Sequence, residues 1–241
     1  MDWFKNWFDS FYYHKLYRHR NTSEAQMFID NIIEFIHPQV GSSILDLACG
    51  KGRHSFYLNK KGFNVVGVDL SENSIKEASK NANKSLHFYQ MDMREIDCQQ
   101  TFDLVVNMFT SFGYFQHKSD NVKVLHGIHK VLNPGGFLMI DFLNASKVIQ
   151  NLVPEEKKEI DNVSFTINRM IEDQTVVKKI QVLDNGKEFR FQERVSMFVL
   201  EDFKTLFEKS GFELIQTFGD YHLNNFDASS SDRLILIARK I

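Results

Sequence analysis

Ile44-Leu45-Asp46-Leu47-Ala48-Cys49-Gly50-Lys51-Gly52-Arg53-His54 is the stretch on which the fold turns. With Ser43 in front, its start reads as a short apolar strand (43–47), Gly50-x-Gly52 as a tight loop, and residues 54–61 as a helix stopped by Gly62, a left-handed cap. Glycine lets a ligand approach the loop backbone closely, and the amides at a helix start favour a negative group. Alone, the two glycines are a weak signal. They gain weight from Asp69, which ends the next strand (63–69) about 20 residues on, where an acid can hold ribose hydroxyls.

The same alternation extends in both directions. Residues 23–36 carry Phe28, Ile32, Phe35 and Ile36 at helical spacing, with Ser23 as the expected N-cap and Gln26 as its capping-box partner. Ser71 caps a helix bearing Ile75, Ala78 and Ala82. Residues 86–90 and 102–108 are the third and fourth strands. Ser119 is the expected cap of a helix through Val122, Leu125, Ile128 and Leu132, closed by Pro134-Gly135-Gly136, and residues 137–142 form a fifth strand. Apolar strands alternating with helices specify a parallel sheet covered on both faces.

The character changes after Asn144. Val163, Phe165 and Ile167 alternate with polar residues; so do Ile180 and Val182, across Asp184-Asn185-Gly186 from Phe189 and Phe191. Asn-Gly between alternating strands is a strong hairpin signal, so residues 150–200 form an antiparallel insertion. This insertion either walls a pocket or forms the surface of a homodimer. Helical spacing returns over 199–209 and ends at Gly211, and residues 213–218 and 233–239 close the sheet. The expected organisation is an aromatic N-terminal segment (1–22), then one domain (23–241) containing the insertion.

The composition is that of a globular chain: 241 residues, 43% hydrophobic and 25% charged, with 12 Gly and only 3 Pro, which excludes disorder and collagen-like repeats. No apolar run approaches the roughly 20 residues of a membrane span, and the aromatic, charged N-terminus is not a secretory signal. Cys49 and Cys98 are too few for a disulfide scaffold, so the expected compartment is the reducing cytoplasm. A net charge of -2 argues against nucleic acid as partner. No Cys/His cluster has metal-ligand spacing.

The choice of ligand rests on detail. The third glycine of a dinucleotide fingerprint is Ser55 here, and Asp46 would repel a pyrophosphate. S-adenosylmethionine instead brings a cationic amine, which Asp46 favours. The third strand runs into Met91-Asp92-Met93, where Asp92 can accept from an adenine amino group while Leu70 and Met93 cover the ring faces.

At these residues the chain resembles the class I S-adenosylmethionine-dependent methyltransferases. Asp46-Leu47-Ala48-Cys49-Gly50-Lys51-Gly52 is similar to their first motif, although Lys51 replaces the small residue common there. Val68-Asp69-Leu70-Ser71 resembles the ribose motif, Met91-Asp92-Met93 the adenine motif, 102–107 ending in Asn107 the fourth-strand motif, and 132–137 the turn into the fifth strand. The resemblance covers roughly 23–143 well and the last helix and strands moderately. It implies an α/β, doubly wound, seven-stranded mostly parallel sheet with an antiparallel last strand. S-adenosylmethionine would lie across the strand ends, near Ala48, Gly50, Asp69, Leu70, Asp92, Met93 and Asn107.

The Asn/Asp-Pro-Pro-aromatic signature of nucleobase and glutamine methylators is absent after the fourth strand. Asn107 to Phe115 instead resembles small-molecule methyltransferases, including those that dimethylate amino sugars. The expected reaction is direct in-line methyl transfer to N or O of a small molecule. The alternatives are a nucleic-acid methyltransferase, a non-catalytic S-adenosylmethionine-binding module and a nicotinamide oxidoreductase. Expected catalytic residues are His117, Tyr114 and Tyr13, with Ser111 beside them on the acceptor side; His117 reads either as a general base or as a solvated residue before a helix cap, and His54, facing the same choice, reads as helix surface. Trp3, Phe4, Trp7, Phe8, Phe11, Tyr12, Tyr13 and Tyr17 form either a packing stripe or a lid. Similarity to small-molecule methyltransferases makes Tyr17 and Arg20 the partners of the methionine carboxylate.

Overall fold

The computed structural model describes residues 3–18 and 22–241. Five parallel strands, β1 (Ser43–Leu47), β2 (Asn64–Asp69), β3 (Leu86–Gln90), β4 (Phe102–Asn107) and β5 (Leu132–Leu143), join β10 (Phe212–Phe218) and β11 (Arg233–Lys240). The order is β10-β11-β5-β4-β1-β2-β3, with β11 antiparallel to both its neighbours. This is the seven-stranded, doubly wound sheet the sequence implies.

Alternation along the strands sends side chains into two cores. On one face Ile44, Val65, Leu104 and Ile235 pack under α3 (Thr22–Ile36), α4 (Arg53–Lys60) and α5 (Glu72–Ser79). On the other, Leu45, Val66, Val105 and Leu236 pack under α6 (Lys118–Val131) and α8 (Leu200–Lys209). The central strands are buried on both sides, which is why their sequences read as apolar runs.

Three local expectations need correction. The third helix begins at Thr22, so Ser23 is inside its first turn. The cap position of α6 is His117, whose carbonyl accepts from Asp120 N at 3.0 Å, and Ser119 is an exposed helical residue. Leu132 belongs to β5, not to the helix: it pairs with Phe102, and the register then shifts so that Phe137 pairs with Leu104. The Pro-Gly-Gly segment is thus a bulge in the strand.

The insertion is a second sheet, β6 (Glu155–Ile160), β7 (Val163–Glu172), β8 (Thr175–Asp184) and β9 (Lys187–Ser196), all antiparallel. The Asn185-Gly186 turn joins β8 to β9, both residues at positive φ as a tight hairpin requires. Strand β6 was not legible: Glu-Glu-Lys-Lys-Glu-Ile has no apolar alternation, and such charge belongs to an edge strand. The short α7 (Ala145–Gln150), capped by the Asn144 side chain, links the two sheets.

The N-terminal aromatics build a third core. Helices α1 (Trp3–Phe8) and α2 (Phe11–Leu16) place Trp7 and Leu16 against Val163, Phe165, Ile167, Ile180 and Val182. Trp7 is fully buried, and its indole donates to Glu193 Oε1 at 2.7 Å. Phe4 instead enters the core of the main sheet, stacking edge-on with Phe115 at 5.7 Å between centroids. The segment is therefore wedged between the two sheets.

Trp7→Ala is expected to cost about 3–5 kcal/mol of folding stability, the range for a fully buried large aromatic. Phe11→Ala, at a side chain 67% exposed, is expected to stay within about 0.5 kcal/mol. Urea denaturation of the two variants checks the contrast, and equal midpoints would show that the N-terminal segment carries no packing.

Candidate active site

The C-terminal ends of β1, β2, β3 and β4 open into one cavity of about 1290 Å³, roofed by α1 and α2 and closed opposite by the second sheet. Pockets for a single small ligand run to about 1000 Å³, so this one has room for two molecules side by side.

The glycine loop forms one end. Ala48, Gly50 and Gly52 all take positive φ (63°, 55° and 81°), so the chain turns sharply, with the amides of Cys49, Gly50 and Gly52 donating to Val68 O, Asp69 Oδ2 and Cys49 O. At Gly52, the N-cap of α4, a Cβ would come within 2.9 Å of the Phe88 ring, so both conformation and space demand glycine. Asp69 is held by two backbone amides, Gly50 N to Oδ2 and Ser71 N to Oδ1, each at 2.8 Å. Burial raises its pKa, and these two bonds oppose that shift. The next strand end brings Asp92, which caps a 3₁₀ turn through Arg94 N at 2.9 Å and forms a two-pronged pair with the Arg94 guanidinium. Burial works against its charge, but the Arg94 bonds prevail and lower its pKa. Leu70 and Met93 line the wall between these two acids.

Asp46 and Asn107 sit elsewhere than the sequence placed them. Asp46 is within β1 but 1% exposed and beneath the loop rather than at the cavity, and accepts from Ser55 Oγ at 2.6 Å. Burial pushes its pKa up to about 6, opposed by the Ser55 bond and assisted by the Asp69 charge. Asn107 is buried under the wall, its amide donating to Leu47 O at 3.0 Å while Oδ1 has no partner among the described residues. Both residues shape the loop from behind.

Beyond β4 the backbone is strained. Phe109 and Thr110 are consecutive non-glycine residues at φ 58° and 59°, a conformation that persists only when its surroundings impose it. The imposing group is Asp141, fully buried on β5. It accepts from Phe109 N at 2.8 Å, Tyr221 OH at 3.2 Å and Arg233 Nε at 2.7 Å, while Arg233 also donates to Thr110 Oγ1 at 2.8 Å. Tyr114 donates its hydroxyl to Thr110 O and packs its ring on Trp3 and Phe8. Ser111 Oγ donates to Met108 O at 2.8 Å. Tyr114, Ser111 and Tyr13 all line the cavity.

His117 does not line it. It is exposed at the start of α6 and is removed as general base on position. His54 is the reverse case: only 8% exposed, it stacks on Phe109 at 5.2 Å and lines the cavity, so it is not helix surface. Its place four residues before the buried Leu58 puts it on the inward face of α4, where it meets Phe109.

The roof is fastened beside Asp69. Asp9 accepts from Ser71 Oγ and from Asn73 Nδ2 at 2.8 Å, at the start of α5. This fastening brings His14, which the sequence reading missed, into the cavity wall. Its Nε2 is buried without a hydrogen-bond partner among the described residues. Burial and the nearby Lys51 charge lower its pKa to about 4, with Asp9 opposing, so the ring is neutral at neutral pH. The only sequence signal for it was its place among the aromatics of the roof. Tyr17 lines the cavity with its hydroxyl turned to the second sheet, donating to Glu193 at 2.8 Å and accepting from Lys178. Arg20 lies outside the described residues.

Comparison with known proteins bears on what this cavity holds. A family model described as a methyltransferase domain matches residues 38–190. YqeM of Bacillus subtilis, a protein named as a methyltransferase, is 30% identical over 218 residues, 86% of this chain and 87% of its own. The dTDP-3-amino-3,4,6-trideoxy-alpha-D-glucopyranose N,N-dimethyltransferase of Streptomyces venezuelae is 34% identical over 101 residues, 42% of each chain. Among solved structures, an S-adenosylmethionine-dependent methyltransferase from Clostridium acetobutylicum superposes with a TM-score of 0.81 at 22% identity, covering 95% of this chain and 96% of that one.

The raised pKa of Asp46 has a measurable consequence. A carboxyl whose folded pKa (about 6) exceeds its free value (3.8) adds stability that is complete below the free value and lost as pH rises through 6. Asp46→Asn keeps an acceptor for Ser55 and does not titrate. It is expected to stabilise the fold at about pH 8 by on the order of 2–3 kcal/mol, the gap closing towards pH 4. Melting temperatures across that range check it; a gap independent of pH would refute the assignment.

Proposed function

The chain belongs to the methyltransferase-domain family, and on that premise we propose that it transfers a methyl group from S-adenosylmethionine to N or O of a small molecule by direct in-line displacement. One observation carries the proposal. A left-handed glycine loop and two carboxylates, Asp69 and Asp92, stand at three successive strand ends and face one cavity. The residues fit an adenosyl donor: the Gly50 Cβ position opens onto empty space, Asp69 is oriented by two amides, and His14 Nε2 is an unused polar atom in the wall.

In this reading Asp69 holds the ribose hydroxyls, Leu70 and Met93 cover the adenine faces, and Asp92 accepts from the adenine amino group. Ala48 and Gly50 offer backbone to the methionine end. His14 and Tyr17 close the roof over the donor. When bound, S-adenosylmethionine supplies an electrophilic methyl group on a sulfonium. The protein then orients the acceptor lone pair in line with that group and keeps water out, which accounts for most of the acceleration such a transfer needs. Tyr13, Ser111 and Tyr114 shape the acceptor side. The sugar and small-amine chemistry named for relatives supports a small acceptor. A covalent route through Cys49 has no support: the thiol is buried in the loop, and burial pushes its pKa well above the ordinary value.

Isothermal titration with S-adenosylhomocysteine and with NAD tests the donor assignment. The adenosyl compound is expected to bind and NAD to give no heat. Asp69→Ala is expected to lose about 1.5–3 kcal/mol of affinity, on the order of 10- to 150-fold in Kd. His14→Ala should lose about 0.5–1.5 kcal/mol, the range for a bond to a neutral group. Unchanged affinity in a folded Asp69→Ala protein would remove Asp69 from the site.

A further inference from the structure

The second sheet turns a row of charges towards the cavity. Arg169 on β7 stands directly opposite Lys178 on β8, which stands directly opposite Glu193 on β9. Glu156 on β6 joins the row through its ion pair with Arg169, and all four side chains line the cavity. The row reads minus, plus, plus, minus, with the two cations adjacent. Like charges directly opposite across strands are destabilising, so this arrangement is unfavourable unless an anion offsets it.

The flanking carboxylates offset it only in part. Glu193 Oε1 already accepts from Trp7 and Tyr17, and Oε2 lies 3.4 Å from Lys178 Nζ, a loose pair. Arg169 spends one nitrogen on Glu156 and one on Val153 O at 3.3 Å, which leaves part of its fork of five N–H groups unused. The wider cavity has the same bias. Among the described residues its lining holds eight Lys and Arg against five Asp and Glu, in a chain of net charge -2. Two of those five acids, Asp69 and Asp92, stand at the adenosyl end.

We propose that the methyl acceptor carries an anionic group, a carboxylate or a phosphate, and that Arg169 and Lys178 of the second sheet hold it. The inference rests on the donor reading above, since it assigns the space left beside the donor. A planar guanidinium next to an ammonium suits a group with two or three oxygens, and the low dielectric of a part-buried wall strengthens the attraction. The insertion thereby supplies acceptor recognition, while the main sheet supplies the donor site.

The test uses the full chain saturated with S-adenosylhomocysteine and titrated with matched pairs: glycine against glycinamide, and phosphoethanolamine against ethanolamine. At least one anionic member is expected to bind tenfold or more tightly than its partner, and the pair that shows the preference distinguishes carboxylate from phosphate. Arg169→Gln should bring that ratio to about one, with S-adenosylhomocysteine affinity within twofold. Arg169→Lys should retain the preference, and Glu156→Gln, which releases Arg169 from its own partner, should increase it. The Glu156→Gln arm decides the matter even if Arg169→Gln fails to fold. Absence of any preference in the wild type, or its persistence in folded Arg169→Gln, overturns the proposal. A wild-type protein that ignores S-adenosylhomocysteine but prefers the anionic members overturns the donor reading, and with it the assignment of the anion as methyl acceptor, leaving only an anion site at Arg169 and Lys178.

Discussion

The Asp141 carboxylate is the group on which the site's geometry depends. Buried without solvent on β5, it would be a severe liability unpaired, since a lone charge in the interior costs several kcal/mol. Its partners are the features that define the cavity floor. Arg233 comes from β11, the one strand running against the rest; Phe109 N comes from the strained turn after β4; Tyr221 comes from the connection between β10 and β11. A single carboxylate thus pairs with a part-buried cation, fixes two residues in left-handed backbone and fastens the last third of the chain to the first half of the sheet. The strain at Phe109 and Thr110 is tolerable because these bonds impose it. Its consequence is functional: Phe109 turns inward to bury His54, and Tyr114 is carried under the roof.

Much of this was legible because it is local. The strand, glycine loop and helix around residues 43–61 leave their marks within a few residues, as do the capping serine at 71 and the Asn185-Gly186 hairpin. Periodicity located the strands of the main sheet to within a residue or two of where they fall, β5 excepted, whose bulge keeps Leu132 in register through a segment that reads as a loop. What periodicity cannot see is depth and direction. Asp46 reads as a charge offered to the ligand, but it lies buried under the loop, where it accepts from Ser55. His117 reads equally as a base or as a solvated residue before a helix, and only the structure decides: helix α6 starts there and carries it outwards. The charged row of the second sheet depends on cross-strand register, which no window of sequence contains: Arg169, Lys178 and Glu193 are neighbours only once two hairpins have closed.

The division of the cavity between two sheets also explains its mixed chemistry. The main-sheet side is built from the glycine loop and oriented carboxylates, rigid groups at the ends of buried strands. The opposite side is built from long side chains, Arg169, Lys178 and Glu193, standing on an antiparallel sheet that meets the main sheet through α7 and the Ser196–Gly113 backbone bond. Rigid elements suit a ligand whose shape never varies; side chains on a separate sheet can change without disturbing the strands of the main sheet.

The burial of Trp7 and Leu16 in the second sheet has an implication for how this protein could be re-engineered or could have diverged. The half of the molecule facing the acceptor is discontinuous in the chain: one piece precedes the main domain and the other interrupts it after β5, and they share a hydrophobic core that neither has alone. Transplanting the four-stranded insertion by itself onto a related scaffold would leave Val163, Phe165, Ile167 and Ile180 facing water, and would strip the cover from Trp7. This wall of the cavity is therefore built from two cassettes that must travel together, and the natural unit of exchange is the pair.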